Sequence, residues 1–97
     1  MKIRLGFGLL NYPFESGKEY FRWVEMLEEA GVDSVWQSDR LISTDNYLES
    51  LSALASLAGC TEKIKFGMNA IVAPLRDPLV LAKQSATIDY LSGGGLL

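Results

Sequence analysis

Apolar and polar positions along the chain follow two alternating periods. Three short stretches have a period of two, which is typical of β-strands, and each precedes a longer stretch whose apolar residues recur every three or four positions, as in an amphipathic helix. The pattern predicts the order strand–helix three times, with no linker, repeat or low-complexity tract. The predicted strands are residues 2–9, 33–38 and 64–69, and the predicted helices are residues 17–30, 45–59 and 78–91.

The last strand–helix unit carries the clearest signals. Ile64, Phe66 and Met68 alternate with less apolar residues, which predicts a half-buried strand. Asp77 is a good N-cap residue for the helix that follows, since a proline stands next to it at the first helical position. Gly93 is suited to the left-handed conformation that ends many helices.

The other helices also carry candidate end signals. Ser16 and Glu19 have the spacing of a capping box, which predicts the start of the first helix, and Gly31 predicts its end. The stretch 43–45, Ser-Thr-Asp, offers N-cap candidates for the second helix. On the third helix, Asp89 falls by angle within the apolar arc, so we expect a buried carboxylate that needs a partner.

Alternating strands and helices predict an α/β fold with a parallel sheet and right-handed crossovers. Two architectures begin in this way, a doubly wound sheet and a (β/α)8 barrel. In both, ligands bind at the carboxyl ends of the strands. Residues 69–76 follow the third strand and are more apolar than an ordinary surface loop, so we expect this loop to face a ligand.

Composition and charge limit the partners and the cellular compartment that we expect for this chain. The 97 residues carry a net charge of −3 with scattered Lys and Arg, which argues against a nucleic-acid partner. A single cysteine, Cys60, excludes an internal disulfide and fits a reducing compartment. No stretch approaches the roughly 20 apolar residues of a membrane helix, and no signal-peptide pattern is present. We therefore expect a cytoplasmic protein without a membrane partner.

Several common chemistries lack their residues in this sequence. The dinucleotide fingerprint G-x-G-x-x-G fails because its third glycine would fall at Asn11. There is no P-loop, no histidine, no C-x-x-C pair, no G-x-S-x-G and no paired metal carboxylates. We therefore predict no metal site, no catalytic triad and no ordinary dinucleotide site.

Two local patterns have both a functional and a structural interpretation. Gly6 and Gly8 share one face of the first strand, and they indicate either tight packing or the close approach of a ligand. Asp39 and Arg40 follow the second strand at the end where barrel sites lie. They predict either site residues or a salt bridge, mutual or with a neighbour, that ties down a loop.

Longer motifs carry a resemblance to a known family. D-S-V-W-Q-S-D-R, T-E-K-I-K-x-G, P-L-R-D-P and A-K-Q-x-A-T-x-D-x-L-S-G-G occur in this order. They resemble the opening of the bacterial luciferase-like monooxygenases, which include flavin monooxygenases and oxidoreductases dependent on the 8-hydroxy-5-deazaflavin coenzyme F420. The resemblance spans about residues 3–94 and implies a (β/α)8 barrel, a fold of about 250 residues, of which this chain matches the first three units.

The resemblance also implies a cofactor and a site. The cofactor would be FMN or F420, with its ring resting against a non-proline cis peptide at Asn69–Ala70 and facing a polar residue, Asp39. Arg40 stands where many members have histidine. An arginine can hold an anionic ring or peroxide but cannot shuttle protons, so hydride transfer with the deazaflavin is slightly favoured. We predict Asp39 and Arg40 as catalytic residues, and as cofactor-binding residues Gly8, Asp39, Asn69, Ala70 and Ile71.

The end of the sequence leaves two functional interpretations. The family normally continues L-S-G-G-R into a fourth strand and takes its phosphate-binding loops from later strands, whereas here Gly95 replaces the arginine that Asp89 could meet. One interpretation is the N-terminal part of a flavin- or deazaflavin-dependent oxidoreductase acting on a small-molecule substrate. The other is a non-catalytic barrel fragment that self-associates or pairs with a complementary piece to cover two unpaired sheet edges. We expect a homo-oligomer.

Overall fold

The computed structural model describes residues 2–97. Three parallel strands lie in the order β1-β2-β3 and alternate with three α-helices. The third crossover also contains a short 3₁₀ turn, Ala73–Leu75. The strands are β1 (Gly6–Leu9), β2 (Ser34–Gln37) and β3 (Lys65–Met68), and the helices are α1 (Gly17–Glu29), α2 (Ser50–Cys60) and α3 (Pro78–Leu91).

The core lies between the helices and one face of the sheet. Phe7, Val35 and Phe66 are neighbours in register on this face, and the last two are fully buried. Tyr20 of α1 is also buried, and its hydroxyl accepts a hydrogen bond from Nε2 of Gln37 at 3.2 Å, which ties the helix to β2. The other core residues are Val24, Leu27, Leu51, Leu54, Leu57, Ala58, Ile64 and Ile88.

The predicted caps of the first and third helices have the expected geometry. Ser16 accepts a hydrogen bond from the Glu19 N–H, although the carboxylate of Glu19 accepts from the Glu15 N–H one residue before the cap. Asp77 accepts from two N–H groups in the first turn of α3. Gly93 has a φ of 65°, in the left-handed region, directly after the C-cap of that helix.

Two predicted element boundaries were wrong. The second helix does not begin at residue 45 but at Ser50, because Glu49, and not the stretch 43–45, accepts hydrogen bonds from the first-turn N–H groups. The first strand begins at Gly6 rather than at residue 2. The Leu5 carbonyl still accepts from the Asp33 N–H, but residues 2–5 are exposed and lie outside the strand.

The expectation of a buried carboxylate on the third helix was also wrong. Asp89 is exposed, and Ile88 is the buried residue of α3. Ser85 and Leu81 are half-buried one and two turns before Ile88, so the covered face of this helix is a narrow stripe. Asp89 is displaced by about 100° around the helix from Ile88, and because it is exposed it needs no buried partner.

The sequence led us to expect an unpaired far edge of β3, but this edge is partly paired. The Phe66 N–H donates to the Gly95 carbonyl, and the Leu97 N–H donates to the Phe66 carbonyl, each at 2.9 Å. These bonds form a parallel bridge between Phe66 and Leu96. The residues after the third helix therefore begin a fourth position in the sheet.

A carboxylate clamp holds the loop between α2 and β3. Glu28, near the end of α1, accepts hydrogen bonds from the backbone N–H groups of Glu62, Lys63 and Ile64 at 2.6–3.0 Å. Burial raises the pKa of Glu28, but these three donors outweigh that effect, and the pKa lies below its usual value. The clamp lies at the amino end of β3, away from the carboxyl ends of the strands.

Candidate functional site

The loop after β3 begins with an arch that is hydrogen-bonded to residues at the carboxyl end of β2. The Asn69 N–H donates to the Gln37 carbonyl at 2.9 Å, and the Val72 N–H donates to Oδ2 of Asp39 at 2.7 Å. We call residues 69–72 the arch. Its two contact points both lie at the carboxyl end of β2, so the short stretch between them spans a fixed distance. Residues 69, 70 and 72 of the arch are exposed, whereas Ile71 packs against the core.

The peptide bond between Asn69 and Ala70 is cis. Its geometry is the one that the family resemblance implies for this position. The role of the bond in cofactor binding stays a prediction.

Asp39 is a buried and fully hydrogen-bonded carboxylate. Its side chain is 1% exposed. Oδ1 accepts from Ser50 Oγ at 2.8 Å and from Arg76 Nη2 at 2.9 Å, while Oδ2 accepts from the Val72 N–H and from Arg76 Nη1, both at 2.7 Å. Of the four donors, one comes from α2, one from the arch, and two from Arg76, just before α3. Asp39 therefore joins three segments at one point.

Arg76 provides the counter-charge for this carboxylate. The pair is bidentate, with one nitrogen of the guanidinium on each oxygen of Asp39. The same guanidinium donates to Oε1 of Glu49 at 3.0 Å and, at 3.4 Å, to the carbonyl of Val72. Its side chain is 10% exposed. We call Asp39, Glu49, Ser50 and Arg76 the Asp39 cluster.

The electrostatics of the cluster keep both carboxylates ionised. The hydrogen bonds from Arg76, with further ones from Val72 and Ser50, outweigh burial and lower the pKa of Asp39 to about 2. For Glu49, burial raises the pKa, but hydrogen bonds from Ser52, Arg76 and Leu51 lower it to about 2. The same pairing raises the pKa of Arg76 further above its usual value. The cluster is therefore charged throughout the physiological range.

Arg40 is separated from this network. Its side chain is exposed, and its guanidinium lies 5.4 Å from the ring centroid of Tyr47, a cation–π distance. The ion pair of Asp39 is thus with Arg76 and not with Arg40. The sequence allowed two interpretations of Asp39 and Arg40, and Asp39 matches the one in which a salt bridge ties down a loop. Its partner, Arg76, lies 37 residues further along the chain.

The face of the sheet opposite the helices is covered in its middle by one indole. Trp36 lies across this face, and its Nε1 donates to Ser34 Oγ at 3.0 Å. A Cβ on Gly6 would collide with Ser34 Oγ, and a Cβ on Gly67 would lie 2.8 Å from Cζ3 of the indole. Both glycines therefore make room for tight packing. A Cβ on Gly8 would meet nothing within 4 Å, so the space beside that glycine is open.

The predicted site residues fall into two groups. Asp39 and the arch residues are brought together at the carboxyl ends of β2 and β3, and Gly8 lies beside Trp36 in the register of β1 and β2. Arg40 points to Tyr47 instead. Whether Asp39 and Arg40 are catalytic stays a prediction. Sequence reasoning missed the roles of Arg76 and Glu49, although a charged residue within the apolar stretch 69–76 was a signal for the first.

Within residues 2–97, no helix combines the length and the apolar character that crossing a membrane requires. Among the same residues, no three His, Cys, Asp or Glu side chains come together as metal ligands do.

Parallel βα units whose polar and loop residues gather at the carboxyl ends of the strands are typical of the beginning of a (β/α)8 barrel. The sequence profile of the luciferase-like monooxygenases matches residues 4–97. The chain belongs to this family.

Solved structures agree with this assignment. The coenzyme F420-dependent tetrahydromethanopterin reductase from Methanopyrus kandleri is 27% identical with a TM-score of 0.79, and the match covers 100% of this chain and 26% of that one. The monooxygenase RslO1 from Streptomyces bottropensis is 24% identical with a TM-score of 0.82, over 97% and 31% of the two chains. The latter shows the fold alone.

A third structure also has the same fold. It is the oxygenating constituent of the 3,6-diketocamphane monooxygenase of Pseudomonas putida, a type II Baeyer–Villiger enzyme in complex with FMN. The identity is 21% and the TM-score 0.80, over 99% of this chain and 28% of that one. The chain thus spans between a quarter and a third of the length of these enzymes, and the prediction of an incomplete (β/α)8 barrel is confirmed.

Proposed function

We propose that this chain supplies the wall against which the ring of FMN or of the deazaflavin F420 lies in an oxidoreductase of the luciferase-like family. The observation that carries the proposal is the arch, which is exposed and apolar at Ala70 yet held at one end by Gln37 of β2 and at the other by Asp39, just after that strand. Exposed apolar backbone at the carboxyl end of a barrel strand suits the face of a planar ring. A fixed span suits a ligand that needs a preformed surface.

The residues around the arch fit a ring better than they fit a phosphate. Gly8 borders open space on the same sheet face as the indole of Trp36, so a flat group has room beside it. The cationic group nearest the arch, Arg76, is already bound to two carboxylates and is not available to an anion. We therefore assign the ring to this chain and the phosphate to residues outside it.

The cofactor would supply hydride transfer or, for a flavin, chemistry with oxygen. This chain would supply binding and orientation, because the arch would fix the position of one face of the ring. Arg40, which is exposed, would attract a ring that carries negative charge. Asp39 would act by holding the arch, because its acceptor positions are already used. We retain the slight preference for F420 over FMN, and the small-molecule substrate would be bound in part by residues outside this chain.

A titration with ring probes tests this proposal. The purified chain would be titrated with lumiflavin, which is the flavin ring without ribityl phosphate, and with FMN and F420, by absorbance and fluorescence quenching. We expect saturable binding with lumiflavin and FMN bound about equally, since the phosphate makes no contact. Absence of binding of all three at high micromolar concentration would overturn the proposal. Much tighter binding of FMN than of lumiflavin would contradict the assignment of the phosphate elsewhere.

A second function is favoured by the apolar residues that the chain exposes. Four apolar residues, on either side of β1 and in the loop after β2, are between 69% and 97% exposed: Ile3, Leu5, Leu10 and Ile42. In a fragment this surface would drive self-association into a homo-oligomer, or pairing with the rest of a barrel. Sedimentation velocity over a hundredfold range of concentration tests it: a constant monomer mass would contradict self-association. We propose a cytoplasmic setting for either function.

A further inference from the structure

The two contact points of the arch differ in kind. At the first, the Asn69 N–H donates to the backbone carbonyl of Gln37, a bond that does not depend on any side chain. At the second, the Val72 N–H donates to the carboxylate of Asp39. The second contact therefore depends on the orientation of one side chain, and whatever fixes that side chain also fixes the arch.

Arg76 is the group that fixes it. A carboxylate that accepts two parallel N–H bonds from one guanidinium cannot rotate without breaking both. Arg76 also donates to the Val72 carbonyl, so the peptide groups on both sides of Val72 are held. Glu49, the N-cap of α2, accepts a hydrogen bond from the guanidinium and so limits the rotation of Arg76. Support thus passes from α2 through Arg76 and Asp39 to the arch.

We propose that Arg76 is a positioning residue for ring binding, which acts through Asp39 on the arch and makes no contact with the cofactor itself. This inference rests on the proposed function, because it assigns the arch to the ring. Its geometric requirement is the planar fork of arginine. Lysine carries the same charge but has one nitrogen, and it cannot satisfy both oxygens of Asp39 in the same way.

The test compares Arg76→Lys with the wild-type chain by two measurements. The first is amide hydrogen exchange by NMR, in which the Asn69 amide is an internal reference for the Val72 amide. We expect protection of the Val72 amide to fall by at least about tenfold while that of Asn69 is unchanged, since only the second contact is weakened. The second is the lumiflavin titration, in which we expect the Kd to rise by about tenfold or more as the arch loses its fixed span.

Glu28→Gln provides a matched control. It weakens another contact between a carboxylate and backbone N–H groups, at the amino end of β3 and away from the arch. It should lower stability without changing the Val72 exchange or the Kd for lumiflavin at temperatures where the chain is folded. A change in the Kd in this variant equal to that in Arg76→Lys would show that lost stability, and not positioning, explains the effect.

The outcomes separate the two proposals. If the wild-type chain binds no lumiflavin, the ring-wall function and the positioning role are both overturned. If wild type binds and Arg76→Lys binds equally well, only the positioning role of Arg76 is overturned. If the Kd rises while the Val72 amide stays protected, Arg76 acts on the ring directly, which also contradicts the proposed route. Loss of both together supports it.

Discussion

The indole of Trp36 lies directly over Gly67 of the neighbouring strand, so close that a Cβ on this glycine would be 2.8 Å from Cζ3 and 3.2 Å from Cε3 of the ring. The same Cβ would be 3.2 Å from the backbone oxygen of Leu97. A glycine is therefore required here, because both a side chain and the backbone come too close to leave room for a Cβ.

Gly67→Ala should accordingly destabilise the chain by about 1–3 kcal/mol, the usual cost of adding a methyl group to a packed site. Urea denaturation followed by tryptophan fluorescence measures it. Gly59→Ala is the control: it lies in α2, a Cβ there meets nothing within 4 Å, and the gain in helix propensity should stabilise by up to about 1 kcal/mol. Equal stability of the two variants would contradict the packing we describe.

Glu28→Gln should lower the free energy of unfolding by about 1–3 kcal/mol. The neutral amide has one acceptor oxygen in place of two charged ones, so at least one of the three backbone N–H groups loses its partner. Chemical denaturation at neutral pH checks this. Glu29→Gln makes the same change of charge on an exposed position of α1 and should cost less than about 0.5 kcal/mol.

The stability of the chain should fall as the pH decreases from about 4 to about 2. The pKa of Asp39 is lowered to about 2 in the folded chain from an ordinary value of 3.8, so the folded state binds fewer protons than the unfolded state in this range. The resulting stabilisation is complete above about pH 4, is lost towards pH 2, and amounts to about 2 kcal/mol. Glu49 adds a smaller contribution of the same sign, since its side chain is 42% exposed.

Denaturation curves at several pH values test this dependence. Asp39→Asn should be less stable than wild type at pH 6, and its stability should depend less steeply on pH below 4. Asp45→Asn, at an exposed position, should keep the wild-type slope. A slope unchanged by Asp39→Asn would show that Asp39 is not the group responsible.

Tyr20→Phe should destabilise by about 1–2 kcal/mol, because it leaves the buried Nε2 of Gln37 without the hydroxyl to which it donates. Thermal denaturation measures the effect. Tyr90→Phe removes the hydroxyl of a side chain that is 84% exposed, so its melting temperature should match that of wild type. A similar loss in both variants would mean that the Gln37 bond contributes nothing.

The alternation of strands and helices was readable from the sequence because its signals are local. Period-two and period-3.6 patterns lie within single elements, and the caps Ser16 and Asp77 bind N–H groups within three residues of themselves. The second helix was placed too early because the stretch 43–45 has ordinary N-cap residues. Its true N-cap, Glu49, is not among the favoured residue types, and a tertiary partner, Arg76, holds it.

The positions of Asp39 and the arch, just after β2 and β3, could be predicted from the sequence, but the hydrogen bonds that hold them could not. Family motifs located Asp39 and the arch, since each follows a recognisable strand. The pairing of Asp39 with Arg76 joins residues 37 apart, and no periodicity along the chain encodes such a contact. The same limit explains the expected partner of Asp89, since the extent to which α3 is covered depends on packing and not on its own pattern.

The arch has one support on β2, at Gln37, and the other on Asp39, two residues beyond that strand, although the chain enters the arch from β3. Its span is therefore set by residues of the neighbouring βα unit. Ala70 stands between the supports, is exposed, and contributes no side-chain bond to either of them. We therefore expect that diversifying this position in a mutant library would change the exposed surface of the arch without removing either support.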